Sequence, residues 1–376
     1  MTRIVLAVDK FKGSLTGSEV ADSLSRGLLR GQPDLEVARV PVADGGDGTL
    51  DAFVSAGFER HPVTVTGPTG ERVRTAYARR GTVAVVELAD ASGLARLGSG
   101  TSPLHASTRG TGEVVREAVR AGCREVVIGL GGSASTDGGA GLVEALGARI
   151  LDADGAPVPP GGAGLLRAVS LDLGPVRDLL SGVTVTVASD VDNPLLGPHG
   201  AAAVYAPQKG ASAADVELLE SALSRWADLV SASIGEDQRD APGAGAAGGT
   251  GYAAVALLGA RIRSGVRTVL ELVGFTDVLP GADLVITGEG SVDEQSLRGK
   301  APLGVLAAAR EAGVPVVLVC GRSTLPRSAL AEAGVAEVWT LVDREPDPAR
   351  CMAEAAPLLE EVGVEVGRWL RRAAVR

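Results

Sequence analysis

The sequence predicts an α/β protein built on parallel sheet, with a second α/β domain inserted into the first. Three observations carry that expectation. Short Val/Ile/Leu runs recur, each ending in a loop of small residues and leading into an amphipathic helical pattern, the signature of strands buried on both faces. The chain has 376 residues, above the size at which one core usually stops growing, so two domains are expected. Residues 63 to 88 and 151 to 264 interrupt the rhythm.

In chain order, Ile4 to Val8 is the first strand and ends at Lys12-Gly13-Ser14. Val20, Leu24 and Leu28 then recur at helical spacing, with Ser14 or Thr16 as the cap, the latter through Glu19. Residues 63 to 88 read as a meander or hairpin, with turns at Gly67-Pro68-Thr69-Gly70 and Arg80-Gly81-Thr82. Val126 to Ile128 is a buried strand leading into a glycine-rich loop. After a Pro/Gly connector from Pro157 to Gly164, strands are expected at Val183 to Ala188 and Ala201 to Tyr205, followed by a helix with Leu219, Leu223, Trp226 and Val230 on one face. Ala241 to Gly251 is an Ala/Gly run. Strands follow at Leu284 to Ile286, Val316 to Val319 and Val338 to Leu341, and Leu359, Val362, Val366 and Leu370 form a last helical stripe. The expected division is 1–62, 107–150 and 265–376 for the first domain, and 63–106 and 151–264 for the insert. Ligands of open parallel sheets collect at the carboxyl ends of strands, so the active site is expected in the cleft between the domains.

Composition narrows the function. The chain is 45% hydrophobic and 22% charged, which excludes wholesale disorder. Aromatics are only 3%, so a stacking platform for bases is hard to assemble. A net charge of -10 and a pI near 5.0 argue against nucleic acid and anionic membranes as partners. Cys123, Cys320 and Cys351 form no CxxC pair, so neither a disulfide framework nor a zinc cluster is expected. His61, His105 and His199 lack metal-ligand spacing. The apolar run before Asp9 is too short for a signal peptide and no segment reaches spanning length; a cytoplasmic protein is expected.

The chemistry concentrates in loops. Gly129-Leu130-Gly131-Gly132-Ser133-Ala134-Ser135-Thr136-Asp137-Gly138-Gly139-Ala140-Gly141 joins a strand to a helical segment. Its glycines can turn several N–H groups toward one anion, and the following helix adds the positive end of its dipole, although such loops also serve only as tight corners. Asp9-Lys10-Phe11-Lys12-Gly13-Ser14-Leu15 places a lysine between strand and helix, suited to a phosphate or carboxylate or simply to solvent. Ala43-Asp44-Gly45-Gly46-Asp47-Gly48-Thr49 is either a turn or an acidic loop able to hold Mg²⁺ or accept a proton. Asp190 and Asp192 end a strand and share a face if it continues, while Asn193-Pro194 signals a turn. Lys209, in Pro207-Gln208-Lys209-Gly210-Ala211, is a second loop lysine, equally readable as a surface residue at a turn. Thr287-Gly288-Glu289-Gly290-Ser291-Val292-Asp293 continues through Arg298-Gly299-Lys300 to Pro302, a proline that a first helical turn tolerates. The GxxxxGK[ST] spacing of a Walker NTPase is absent throughout.

Taken together, these loops resemble the bacterial type I glycerate kinase family. Asp9 to Leu15, Ala43 to Thr49, Gly129 to Gly139, Asp190 to Leu195 with Gly197, and Pro207 to Ala211 resemble its successive signatures, completed by Gly243 to Gly249 and Ile286 to Gly304. The resemblance spans almost the whole chain in one order. It implies ATP-dependent phosphorylation of D-glycerate with Mg²⁺, 2-phosphoglycerate being the favoured product, on a flavodoxin-like domain plus a second α/β domain with a restriction-enzyme-like core. The family usually has Ser where this chain has Lys10, and often Asn where it has Thr136.

On that reading Asp190 is the expected base, with Asp44 second and Lys12 beside them as a catalytic residue. Ser14, Asp47, Asp192, Asn193, Lys209, Arg298 and Lys300 are the expected glycerate contacts. Gly131, Gly132, Ser133, Ser135, Asp137, Gly288, Glu289 and Gly290 are expected to hold ATP, and Asp190 and Asp293 to hold Mg²⁺. A monomer or homodimer is expected. Two alternatives stand beside it: a kinase of the galactokinase and mevalonate kinase type, whose glycine-rich loop is similar, and a noncatalytic sensor of a small organic acid.

Overall fold

The computed structural model describes residues 1–98, 100–293 and 301–373. Arg298 and Lys300, expected to contact substrate, lie outside the described residues. The chain forms two compact units: Met1–Asp44, Asp51–Ala56 and Val266–Arg376 make one, and Gly45–Leu50 with Gly57–Gly265 make the other.

The first unit carries a five-stranded sheet in the order Val335–Thr340, Val316–Cys320, Leu284–Gly288, Thr2–Val8, Leu35–Arg39. All four pairings are parallel. Numbered along the chain the order is 2-1-3-4-5, that of a flavodoxin-like doubly wound sheet. Alternation sends successive residues of the first strand to opposite layers. Ile4, Leu6 and Val8 pack with Leu24, Leu28 and Leu359; Val5 and Ala7 pack with Leu270, Phe275 and Val305. Both faces are therefore dry, which is why these strands read as unbroken apolar runs.

The helix Gly17–Gly31 starts at the expected capping box, with Thr16 and Glu19 each bonding the other's backbone N–H. It lies against the helix Ala355–Ala373 through glycines. A Cβ on Gly27 would stand 2.0 Å from the Glu360 carbonyl oxygen, and one on Gly363 would stand 2.5 Å from that of Leu24. The two backbones touch where a side chain would otherwise hold them apart.

The second unit carries a six-stranded mixed sheet in the order Arg261–Arg263, Thr184–Ala188, Glu125–Gly129, Val83–Glu87, Arg72–Arg80, Glu59–Thr66. Its first four strands pair in parallel, and the last two are antiparallel, as the meander between 63 and 88 suggests. One core fills it, built largely of Ala, Val and Leu around Trp226 and Tyr252. Leu219, Leu223, Trp226 and Val230 are all fully buried on the helix Ala213–Ile234.

Two expectations are corrected here. Residues 107–150 fall within the second unit, not the first. The strand Glu125–Gly129 pairs with Val83–Glu87 on one side and Thr184–Ala188 on the other, and these hydrogen bonds draw the glycine loop into the same unit. Ala201–Tyr205 is a helix, not a strand. Three successive alanines favour helix, and the Val204 and Ala206 N–H groups donate back to the Gly200 and Ala202 carbonyls.

Candidate active site

In the second unit the segment Gly45–Leu50 packs backbone to backbone on the ends of the adjacent parallel strands Glu125–Gly129 and Thr184–Ala188 and the glycine loop that follows the first. The Gly131 N–H donates to the Gly45 carbonyl at 3.3 Å. A Cβ on Gly131 would lie 2.3 Å from the Gly46 Cα, one on Gly129 would lie 2.4 Å from the Gly45 oxygen, and one on Gly45 would lie 2.8 Å from the Ala188 oxygen. Gly45, Gly129 and Gly131 are thus required by close approach of these backbones. Gly132, at φ +70°, additionally lies where a Cβ would meet the Asp47 carboxylate at 2.6 Å.

Glu87 fixes the first of these loops. It ends the strand Val83–Glu87, is buried, and accepts from the Gly48 N–H at 3.1 Å and the Leu50 N–H at 2.8 Å. Burial pushes its carboxyl up to about 7 against the pull of those two bonds. Sequence reasoning missed this residue. The available signal was a lone carboxylate closing the apolar run Val83-Ala84-Val85-Val86.

The glycine loop itself is held from inside. Asp137, fully buried, accepts from the Thr108 N–H and hydroxyl, both at 2.8 Å, and from the Gly139 and Gly141 N–H groups, both at 3.2 Å. Burial raises its pKa, while these four bonds oppose the rise. The carboxylate occupies the start of the short helix Ala140–Ala145, the position that sequence reasoning gave to a ligand's phosphate. Asp137 is a fastener of the loop. Thr108, which fixes it, was also missed; its mark is a hydroxyl immediately before the helix Arg109–Arg120.

Lys209 lies beneath the same loop. The surface reading of this lysine fails, for only 2% of the residue is exposed. Its ammonium donates to Ser133 Oγ at 2.8 Å and to the Ser135 carbonyl. Burial drives its pKa down to about 7, partly countered by the charge of Asp137. The Ala/Gly run supports the loop from a third side. Gly248 sits where a Cβ would be 2.1 Å from the Ser135 oxygen, and its carbonyl accepts from Gly138 N–H at 3.0 Å. Ala247, Gly248 and Gly249 are all left-handed, at φ 51°, 66° and 87°, which explains why a low-complexity sequence has one defined conformation here.

Seven N–H groups of the loop are already engaged within the protein, those of Leu130, Gly131, Ala134, Gly138, Gly139, Ala140 and Gly141. Among the described residues, the N–H groups of Gly132, Ser133 and Ser135 donate to no protein acceptor. Ser135 Oγ and Thr136 Oγ1 are buried without a hydrogen-bond partner. Gly132, Ser133 and Ser135 therefore retain the donors that an anion requires.

Asp190 and Asp192 follow the strand Thr184–Ala188 and are exposed in a loop, so the continuing-strand reading gives way to the turn. Asp190 Oδ1 accepts from the Gly265 N–H at 3.1 Å. Asn193 is tied into the protein, accepting from the Tyr205 hydroxyl at 2.7 Å and donating to the His199 carbonyl at 2.8 Å.

In the first unit, Asp9 and Glu289 stand just beyond Val8 and Gly288, which are register partners on adjacent strands. Asp9 Oδ1 accepts from the Lys10 N–H at 2.7 Å, with the Lys10 ammonium at 3.9 Å. Burial raises its carboxyl to about 7; Lys10 opposes the rise, and Asp44 and Glu289 add to it. Lys10 thus serves as a counter-charge to Asp9, a role that sequence reasoning did not give it. Lys12 is exposed. The Ser14 hydroxyl donates to the Met352 carbonyl at 2.5 Å, so it anchors the loop. Gly288 is required by close approach, since its Cβ would lie 1.7 Å from the Val319 oxygen, and the Gly290 carbonyl accepts from Arg322 N–H at 3.2 Å. Asp293 ends the described part of this loop. Among the described residues no group of three His, Cys, Asp or Glu is arranged to hold a metal.

The expected site residues are therefore divided between the two units, each set at the carboxyl ends of parallel strands. The profile of the glycerate kinase family matches residues 4–371. The chain belongs to the glycerate kinase family. It is 42% identical over 344 residues to the glycerate kinase of Bacillus subtilis (strain 168), covering 90% of each chain. To the glycerate 2-kinase of Escherichia coli (strain K12) it is 40% identical over 345 residues, again 90% of each. A solved structure from Salmonella typhimurium LT2, assigned to glycerate kinase 2, superposes with a TM-score of 0.88 at 38% identity over the full length of both chains. Members of this family are phosphotransferases with an alcohol acceptor. No helix among the described residues is long and apolar enough to cross a membrane.

Proposed function

We propose that this protein transfers the γ-phosphoryl group of ATP to a hydroxyl of D-glycerate, giving 2-phosphoglycerate. The observation that carries the reading is the glycine loop Gly129 to Gly141, whose Gly132, Ser133 and Ser135 N–H groups have no protein acceptor among the described residues and lie over the buried ammonium of Lys209. Phosphoryl transfer depends mainly on positioning and charge stabilisation, and an ordered cradle of N–H donors supplies both. The name of the Escherichia coli relative favours the 2-position.

In this reading Gly132, Ser133 and Ser135 hold the polyphosphate. Asp190 takes the proton of the substrate hydroxyl, with Asp44 as the second candidate; Lys12, Asp47 and Asp192 face anionic glycerate and its hydroxyls. Mg²⁺ accompanies the nucleotide and neutralises phosphate charge when bound. Asp190 and Asp293 are the proposed ligands, because Mg²⁺ is usually held by one or two carboxylates together with phosphate oxygens and needs no three-residue cage.

Incubation with ATP, Mg²⁺ and D-glycerate tests the activity. ADP release that requires glycerate, with a phosphorus NMR signal of 2-phosphoglycerate, is the expected result. Release of 3-phosphoglycerate would overturn the position, and glycerate binding without turnover would overturn the reaction.

A further inference from the structure

We propose that Lys209 is a positioning residue for the nucleotide, acting through Ser133 and Ser135 rather than by touching ATP or glycerate. The inference rests on the kinase reading above and replaces the glycerate contact that the sequence led us to expect of this lysine. Its geometry carries the argument. The residue is 2% exposed, and two of its three ammonium donors end on the loop itself, one on Ser133 Oγ at 2.8 Å and one on the Ser135 carbonyl.

Those two bonds bracket Ala134, whose own N–H donates to the Ser92 carbonyl at 3.0 Å. The segment from Ser133 to Ser135 is thereby fixed at three successive residues, while the N–H groups of Ser133 and Ser135 make no bond to the protein among the described residues. The lysine is itself held rigidly. Its backbone N–H donates to the Ala206 carbonyl at 3.0 Å, and left-handed Gly210 follows, packed so closely on Thr101 that a Cβ would lie 2.6 Å from it. Within the same loop Asp137 is the carboxylate whose charge favours the ammonium, and it already accepts from four donors. When protonated, an ammonium buried under a loop that binds an anion is poorly screened, so its charge also acts on the phosphate without contact.

Lys209→Met keeps the length and apolar stem of the side chain and removes the charge. Calorimetric titration with ADP, together with separate KM values for ATP and D-glycerate, reads the effect. The expected result is a rise of about tenfold or more in the ADP Kd and in the ATP KM, the range for losing charged hydrogen bonds, with the glycerate KM unchanged. Ser133→Ala removes one acceptor and is expected to raise the ADP Kd by a smaller factor, non-additively with Lys209→Met. If Lys209→Met does not fold, Ser133→Ala alone decides, and an unchanged ADP Kd overturns the proposal. A raised glycerate KM with unchanged ADP binding also overturns it, because the lysine would then serve the acceptor. Wild-type protein that binds ADP but shows no glycerate-dependent turnover defeats the kinase reading and leaves this inference standing on the ADP titration.

Discussion

Gly131 approaches Gly46 so closely that a Cβ on Gly131 would stand 2.3 Å from the Gly46 Cα. Two loops from distant parts of the chain are thereby held at backbone contact, and Gly131 cannot take a side chain without moving the Gly46 loop. Gly131→Ala should separate them, costing about 1–3 kcal/mol of stability. It should also lower turnover on the order of a hundredfold, the scale of an ångström's misplacement in a reacting geometry. Activity within a factor of two of the wild type, at unchanged Tm, would show that the contact does not position the donors.

Asp137 and Asp190 should separate scaffold from chemistry. Asp137 accepts four buried hydrogen bonds, so Asp137→Asn, which turns donors against donors, should cost about 2–4 kcal/mol and lower Tm along with activity. Asp190 is exposed and keeps its bond to the Gly265 N–H if replaced by Asn. Asp190→Asn should leave Tm unchanged and lower kcat by about a hundredfold or more. Near wild-type turnover would remove Asp190 from the role of base.

The glycines between the helices Gly17–Gly31 and Ala355–Ala373 give a test that rests on sign. Helix propensity alone says that Gly27→Ala stabilises by about 1 kcal/mol. The 2.0 Å approach to the Glu360 oxygen says that it destabilises, by about 1–3 kcal/mol net. Denaturant unfolding of the variant distinguishes them, and a raised midpoint would refute the packing argument.

Stability should fall as pH rises from about 4 to about 7. Asp9 has its carboxyl raised from 3.8 to about 7, so in this window the folded protein holds a proton that the unfolded chain has released. The contribution is complete below the unfolded value and is lost as pH passes through the folded one. Asp9→Asn should flatten Tm against pH across this range without abolishing the slope, because Glu87 and Glu144 are raised in the same direction. An unaltered slope would mean that Asp9 does not titrate there.

Much of the fold was legible because buried strands and amphipathic helices write their burial into composition and period. The parallel strand at Ile4 to Val8, the capping box at Thr16, the meander before residue 88 and the Trp226 face could all be read locally. Ala201–Tyr205 could not, since five apolar and small residues carry no period that separates strand from helix. Nor could the unit to which residues 107–150 belong, because strand pairing between Glu125–Gly129 and its two neighbours is a choice among distant partners.

The site divides in the same way. The sequence alone pointed to these loops as the place for chemistry, because glycine, aspartate and lysine at strand ends are chosen for backbone freedom and charge. Tertiary structure decided what each one does. It turned Asp137 inward as a fastener, set Lys209 beneath the loop, recruited Glu87 from another strand and gave Gly131 its contact with Gly46. Those roles depend on desolvation and on distances between residues far apart in the chain, and neither quantity exists until the chain has folded.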